Sequence, residues 1–236
     1  MIRVCIVGAG GYGGCGAIEI LSRHPQVEIV ALIDKENIGA KISDVYPHLK
    51  GFCDLSIISP DAREIQDMEV DIVFFATPDR VAQREASKWL QKGVKIIDYS
   101  GDFRFNSLDT YYGYAERIGA DKLHESADLL KESVYGLPEL HRSEVAKARI
   151  VGNPGCFAVS CILGIAPLVK EALIEPESII CDAKTGVSGA GKKPNPLFHY
   201  PARYDSMNAY KIASHQHVYE IEKELSTLMK KEVKIT

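Results

Sequence analysis

The sequence predicts an α/β fold, with a doubly wound parallel sheet over residues 1–150. Three observations predict it. Short runs rich in Val and Ile alternate with helical stretches. A glycine cluster separates the first run from the first helix, and the next run closes on an acidic residue, Asp34.

Residues 2–7 are apolar and stop at glycine, as a strand buried on both faces does. Gly8, Gly10 and Gly13 fit G-x-G-x-x-G, and Gly8, Gly11 and Gly14 fit a G-x-x-G-x-x-G variant. A helix follows through Leu21 and ends at His24-Pro25, because the residue before proline avoids the helical region. Residues 27–33 are the second strand. Residues 40–60 are less regular. Residues 70–76 read as a strand stopped by Thr77-Pro78-Asp79, 80–92 as a helix capped by Gly93, and 94–98 as a further strand. Residues 106–133 are polar and Tyr-rich, an excursion with short helices. A strand is expected over 148–151, a helix from Phe157 to Leu168, a strand over 178–183 and an amphipathic helix ending at Met229.

The 236 residues allow one large domain or two small ones. A net charge of −4 offers no reason to expect nucleic acid or an acidic membrane as partner. No apolar run approaches the ~18 residues of a transmembrane helix, and the N-terminus lacks the basic and apolar regions of a signal peptide. The six cysteines are scattered without a CxxC pair, which points to reduced thiols in the cytoplasm and to no metal site.

The glycine cluster lies between strand and helix of a βαβ unit. There the backbone can approach a pyrophosphate, and the helix N-terminus offers N–H donors. Gly8, Gly10, Gly11, Tyr12, Gly13 and Gly14 are therefore candidate dinucleotide contacts. Asp34 could accept from an adenosine ribose, which favours NAD, whereas Lys35 could hold a 2′-phosphate, which favours NADP. Thr77 and Pro78 follow a strand end at the expected cofactor edge. Cys156 heads an apolar helix after Asn153-Pro154-Gly155. The positive end of a helix dipole favours a thiolate, so this cysteine is a candidate nucleophile. Otherwise it is a small apolar residue packed in a tight turn. His215 and His217, which share a face if the segment is extended, are candidate bases. Arg104 could clamp a phosphate or carboxylate, or pair with Asp102. Together these residues suggest attack of a thiolate on an activated acyl carbon, followed by hydride transfer.

Several segments carry a family resemblance: 44–51, 74–78, 97–104, 135–140, Gly152-Asn153-Pro154-Gly155-Cys156-Phe157, Lys184 to Gly191, and His215-Gln216-His217. The chain resembles the N-acetyl-γ-glutamyl-phosphate reductases, the arginine-biosynthesis branch of the aspartate-semialdehyde dehydrogenase superfamily. The resemblance implies a Rossmann domain over 1–150 and an α+β catalytic and dimerisation domain over 151–236. It implies NADPH-dependent reduction of a small-molecule acyl phosphate to an aldehyde in a homo-oligomer, dimer or tetramer. It assigns the nucleophile to Cys156 and the acid/base to one histidine, with His217 favoured. It places Ser100, Arg104 and Asn153 at the substrate phosphate, and Ser188 and Gly189 at the nicotinamide.

The chain departs from the family at Gly13, where Ser or Thr is usual, and at Gln216, where Arg is usual. Val159 replaces an expected Thr, and Val218-Tyr219 replaces Thr-Pro. Asp34 is unexpected for an NADP enzyme. Family members continue past the last helix, so the catalytic domain is expected to be incomplete, with 233–236 a strand cut short. Two other readings stay open. One is a paralogous reductase acting on a carrier-protein-linked acyl phosphate in lysine biosynthesis; the other is an inactive nucleotide-binding remnant.

Overall fold

The computed structural model describes all 236 residues. Seven strands form one sheet: β1 (Ile2–Val7), β2 (Val27–Ile33), β3 (Ile57–Ile58), β4 (Ile72–Phe75), β5 (Lys95–Asp98), β6 (Ser133–Tyr135) and β7 (Ile150–Gly152). Their order is β3-β2-β1-β4-β5-β7-β6, and every pairing is parallel. The helices are α1 (Tyr12–Leu21), α2 (Ile42–Val45), α3 (Glu64–Asp67), α4 (Ala82–Gln91), α5 (Leu108–Arg117), α6 (Pro138–Val145), α7 (Cys156–Lys170), α8 (Tyr200–Arg203) and α9 (Val218–Met229).

The chain divides into two compact units. Residues 1–106 with 124–153 form one, and 107–123 with 154–236 form the other. The sheet belongs to the first unit. Its strands are apolar because parallel crossovers cover both faces, and Ile6, Ile18, Leu32, Phe75 and Ile96 are fully buried there. Strand order reverses between β1 and β4. At such a switch point the loops leaving neighbouring strands diverge and open a crevice.

β6 and α6 are among the elements of this unit that the pattern does not foreshadow. β6 is three residues long and exists because Ser133, Val134 and Tyr135 pair with Ile150, Val151 and Gly152 of β7. α6 begins with Pro138 in its first turn, where proline's fixed φ suits a helix.

In the second unit α7 packs on α9, and α5 also touches α9. The strand expected over 178–183 does not form. Ile179 makes a single bridge to Ile235, flanked by a hydrogen bond from the Cys181 N–H to the Thr236 carbonyl (2.8 Å). A strand needs a ladder of partners on at least one side, and only this short stretch meets it. Ile180 is accordingly 79% exposed.

Candidate active site

Three groups of predicted residues come together, two in the first unit and one in the second. In the first unit the chain turns sharply after β1. Gly8 has φ +83°, and a Cβ there would run into the Ala76 carbonyl just beyond β4, so only glycine fits. A Cβ on Gly14 would likewise strike the Gly8 carbonyl. The loop feeds α1, whose N-terminus has no side-chain cap and no acidic residue in its first turn. Such an end is suited to an anion. The Thr77 hydroxyl lies beside Gly8, buried and without a hydrogen-bond partner. A cradle that side chains would fill and an orphaned buried hydroxyl at one switch point fit a dinucleotide pyrophosphate.

The Asp34 carboxylate is fixed to this loop. It accepts from the Gly10 N–H at 2.8 Å, and it closes its own turn by accepting from the N–H groups of Lys35 (2.6 Å) and Glu36 (3.1 Å). Lys35 and Tyr12 are exposed, as is Pro78.

Ser100, Arg104 and Asn153 also come together in the first unit. Arg104 is 7% exposed, and its guanidinium donates to the main-chain carbonyls of Asn153 (2.8 Å) and Tyr99 (2.7 Å). The Ser100 hydroxyl donates to Asp98 at 2.8 Å. Asp102 accepts from the Arg80 N–H (2.8 Å) and the Gln83 N–H (3.1 Å) at the start of α4. That contact holds Arg80 at φ +73°. Burial pushes the Asp98 carboxyl up to about 7, with the Asp102 charge adding to it. Burial also raises Asp102 to about 6, against the pull of those backbone donors. The helix-capping hydrogen bonds favour charge on Asp102, so Asp98 is the better keeper of a proton.

In the second unit Cys156 is exposed at the first residue of α7, preceded by the N-cap Gly155. His217 is buried at the N-cap of α9. A Cβ on Gly155 would fall inside the His217 imidazole, so the ring rests directly on the residue before the cysteine. The segment is not extended: His217 has φ −73° and ψ −8°, a helical entry. The His215 and His217 rings nevertheless meet edge to face at 4.6 Å between centroids. His215 Nδ1 accepts from the His217 N–H at 3.2 Å. Burial lowers the pKa of His215, helped by the charges of Lys211 and Arg117. With Nδ1 accepting, the neutral form of the His215 ring carries its proton on Nε2.

Three further residues build this site. Glu220, 1% exposed, accepts from the Gly155 N–H at 3.0 Å, and its other oxygen lies 3.9 Å from His217 Nε2. Tyr210 packs against Phe157 and His215; burial and then the Cys156 sulfur push its phenol up. Arg117, from the polar excursion, donates to the His215 carbonyl at 3.2 Å and lies over the Tyr219 ring at 4.8 Å. Gln216 accepts from Lys211 Nζ at 2.7 Å, so a cation stands at that segment. Ser188 and Gly189 lie in an exposed 3₁₀ turn, Val187–Ala190, of the same unit.

A buried carboxylate, a histidine and an exposed cysteine thus stand at one helix mouth. In the same chain stands a dinucleotide cradle. Residues 3–148 match the NAD-binding domain of semialdehyde dehydrogenases, and residues 156–236 match their dimerisation domain. The chain belongs to the semialdehyde dehydrogenase family. It is 42% identical over all its 236 residues to an N-acetyl-gamma-glutamyl-phosphate reductase of Syntrophobacter fumaroxidans, covering 67% of that protein. It is 43% identical over 225 residues to one of Bacillus cereus, 95% of this chain and 64% of that protein. The chain therefore spans about two thirds of these relatives' length. Among solved structures, aspartate semialdehyde dehydrogenase of Candida albicans, determined with NADP, shares the fold at TM-score 0.65 and 16% identity, covering 100% of this chain and 66% of that one. Aspartate semialdehyde dehydrogenase II of Vibrio cholerae does so at TM-score 0.64 and 16% identity, covering 100% and 69%.

Proposed function

We propose that this protein reduces N-acetyl-γ-glutamyl phosphate to N-acetylglutamate semialdehyde with release of phosphate, a cytoplasmic step of arginine biosynthesis. The reading is carried by one observation: Cys156 stands exposed at the mouth of α7 beside a histidine seated on Gly155 and backed by a buried carboxylate. The relatives' names support the choice of substrate over a carrier-linked one.

Cys156 Sγ attacks the acyl carbon, the carbon–oxygen bond to phosphate breaks, and phosphate leaves with that electron pair. The acyl group is then a thioester on Cys156. Main-chain N–H groups at the start of α7 stabilise charge on the acyl oxygen. A nicotinamide dinucleotide held at the glycine loop would supply the hydride for the acyl carbon. When the carbon–sulfur bond breaks, the thiolate is regenerated and aldehyde departs. His217 is the acid/base that serves these steps, and Glu220 orients its ring. Ser100, Arg104 and Asn153 shape the phosphate end, with Arg104 also bracing two carbonyls.

Gly8, Gly10, Gly11, Gly13, Gly14 and Thr77 would hold the pyrophosphate, and Ser188 and Gly189 would meet the nicotinamide end. Either NADPH or NADH would serve, and the tethered Asp34 carboxylate weights the choice toward NADH. We assign residues 1–150 to the dinucleotide domain, with the 107–123 excursion packing in the second unit, and 151–236 to the catalytic and dimerisation domain. A homo-oligomer is supported by the apolar residues exposed between Ile180 and Ile212, including Leu197, Tyr200, Tyr204 and Met207. No helix is long and apolar enough to cross a membrane.

The deciding assay runs in reverse: N-acetylglutamate semialdehyde and phosphate with NADP or NAD, on wild type and Cys156→Ser. Phosphate-dependent formation of reduced dinucleotide, absent in the variant, supports the proposal. Equal rates in both proteins refute it.

A further inference from the structure

α1 carries two residues that dinucleotide binding does not use. Cys15 is buried and Glu19 is exposed, four residues apart and so one above the other on the helix surface. The 3₁₀ turn Pro47–Leu49 brings His48 to them. His48 Nε2 lies 3.7 Å from Cys15 Sγ and 2.5 Å from Glu19 Oε1, and the three atoms all fall within 4.8 Å of one another. Nothing in the sequence spacing announces this group. Folding assembles it from residues 33 positions apart.

We propose that Cys15, Glu19 and His48 form a binding site for a borderline-soft divalent cation of the zinc type, with a fourth position left to water. The geometry is near what such an ion requires. Tetrahedral coordination with a metal–sulfur bond of about 2.3 Å and metal–nitrogen and metal–oxygen bonds of about 2.0 Å sets sulfur and nitrogen roughly 3.5 Å apart. The observed 3.7 Å already meets that. Nitrogen and oxygen should stand about 3.3 Å apart. The carboxylate must back away by under an ångström, which an exposed glutamate on a flexible stem does readily. A thiolate, an imidazole and one carboxylate select zinc, cobalt or nickel over magnesium or calcium, which want oxygen ligands only. On binding, the Cys15 thiol loses its proton to solvent and its sulfur lone pair forms the metal bond.

The site is also braced from behind. The His48 ring meets Tyr46 edge to face, and the Tyr46 hydroxyl donates to the Gly10 carbonyl at 2.8 Å. A cation here would tie the 47–49 turn to α1 and so to the glycine loop. Because the folded chain alone presents all three ligands, binding should raise the thermal midpoint.

The test is cobalt spectroscopy on metal-stripped full-length protein, followed by zinc competition against a chromophoric chelator. The expected result is one Co²⁺ per chain, with a sulfur-to-cobalt charge-transfer band and tetrahedral d–d bands. That signal should vanish in Cys15→Ala and persist in Cys156→Ser, which separates this buried thiol from the exposed one at Cys156. His48→Gln and Glu19→Gln, both at exposed positions that leave folding intact, should each weaken zinc by at least about 10-fold, the scale on which even supporting contacts of metal sites are felt. The proposal is overturned by absence of the charge-transfer band, by its loss in Cys156→Ser, or by zinc affinities unchanged in His48→Gln and Glu19→Gln.

Discussion

Replacing Glu220 by Gln removes a charge while keeping the side chain's shape, and the structure sets the size of the effect. One oxygen accepts from the Gly155 N–H at 3.0 Å, and the other faces His217 Nε2 at 3.9 Å. A glutamine oxygen still accepts from Gly155, so this contact falls from a charge-assisted to a neutral hydrogen bond, a loss of about 1 kcal/mol. The larger loss comes when His217 carries the proton. At this separation an ion pair in an effective dielectric of about 20 interacts by roughly 4 kcal/mol, an upper bound on what the proton-bearing state loses. Together the two figures predict a fall in kcat of about 10-fold to 1000-fold. KM should stay within about twofold, because only the proton-carrying state is affected. The lost charge on the hydrogen bond should lower the thermal midpoint by about 2–4 °C. The assay is steady-state acyl-phosphate reduction with a parallel melt. A kcat within threefold of wild type, in a folded variant, would refute Glu220 as the residue that positions His217.

Three other outcomes follow from the same geometry. Dinucleotide binding, read by quenching of protein fluorescence, should favour NADH over NADPH by about 10-fold or more, the worth of a charged hydrogen bond to a ribose diol. Asp34→Asn should erase that preference, and tighter NADPH binding to wild type would contradict it. Burial holds the Asp98 carboxyl at about 7, above the ordinary aspartate value it has in the unfolded chain. The folded state therefore keeps a proton that the unfolded state has lost, and the stability Asp98 contributes shrinks as pH rises from about 4 through about 7. The difference in urea midpoint between wild type and Asp98→Asn should decline between pH 5 and pH 8; a difference that grows would show the opposite sign. Gly155→Ala pushes a methyl into the His217 ring and should cost about 1–3 kcal/mol of stability and most of the activity. A variant as stable and as active as wild type would show that the ring does not rest there.

The dinucleotide half was legible because its signals are local. β1, the glycine turn and β2 are apolar runs broken where the backbone must turn, and Gly8 at φ +83° is a position glycine alone tolerates well. The helix behind Cys156 was legible from its unbroken apolar length. What was hidden depends on contacts between distant segments. β6 is a strand only because β7 lies beside it. Residues 178–183 have strand composition but find one bridge. Arg117 sits in a polar, Tyr-rich stretch with no pattern to announce that it reaches His215, 98 residues on. Glu220 left a trace that could have been followed. His217, Glu220, Ile221, Glu224 and Leu225 fall on one buried stripe of α9. Two glutamates on an apolar stripe signal carboxylates with internal partners.

In the proposed reaction Cys156 carries the acyl group. Incubating the protein with N-acetyl-γ-glutamyl phosphate in the absence of dinucleotide, then quenching in acid and mapping peptides by mass spectrometry, tests it directly. One N-acetylglutamyl adduct is expected on the peptide containing Cys156, cleared on addition of reduced dinucleotide and absent in Cys156→Ser. Phosphate-dependent turnover with no adduct at Cys156, or with the adduct on another residue, would contradict it.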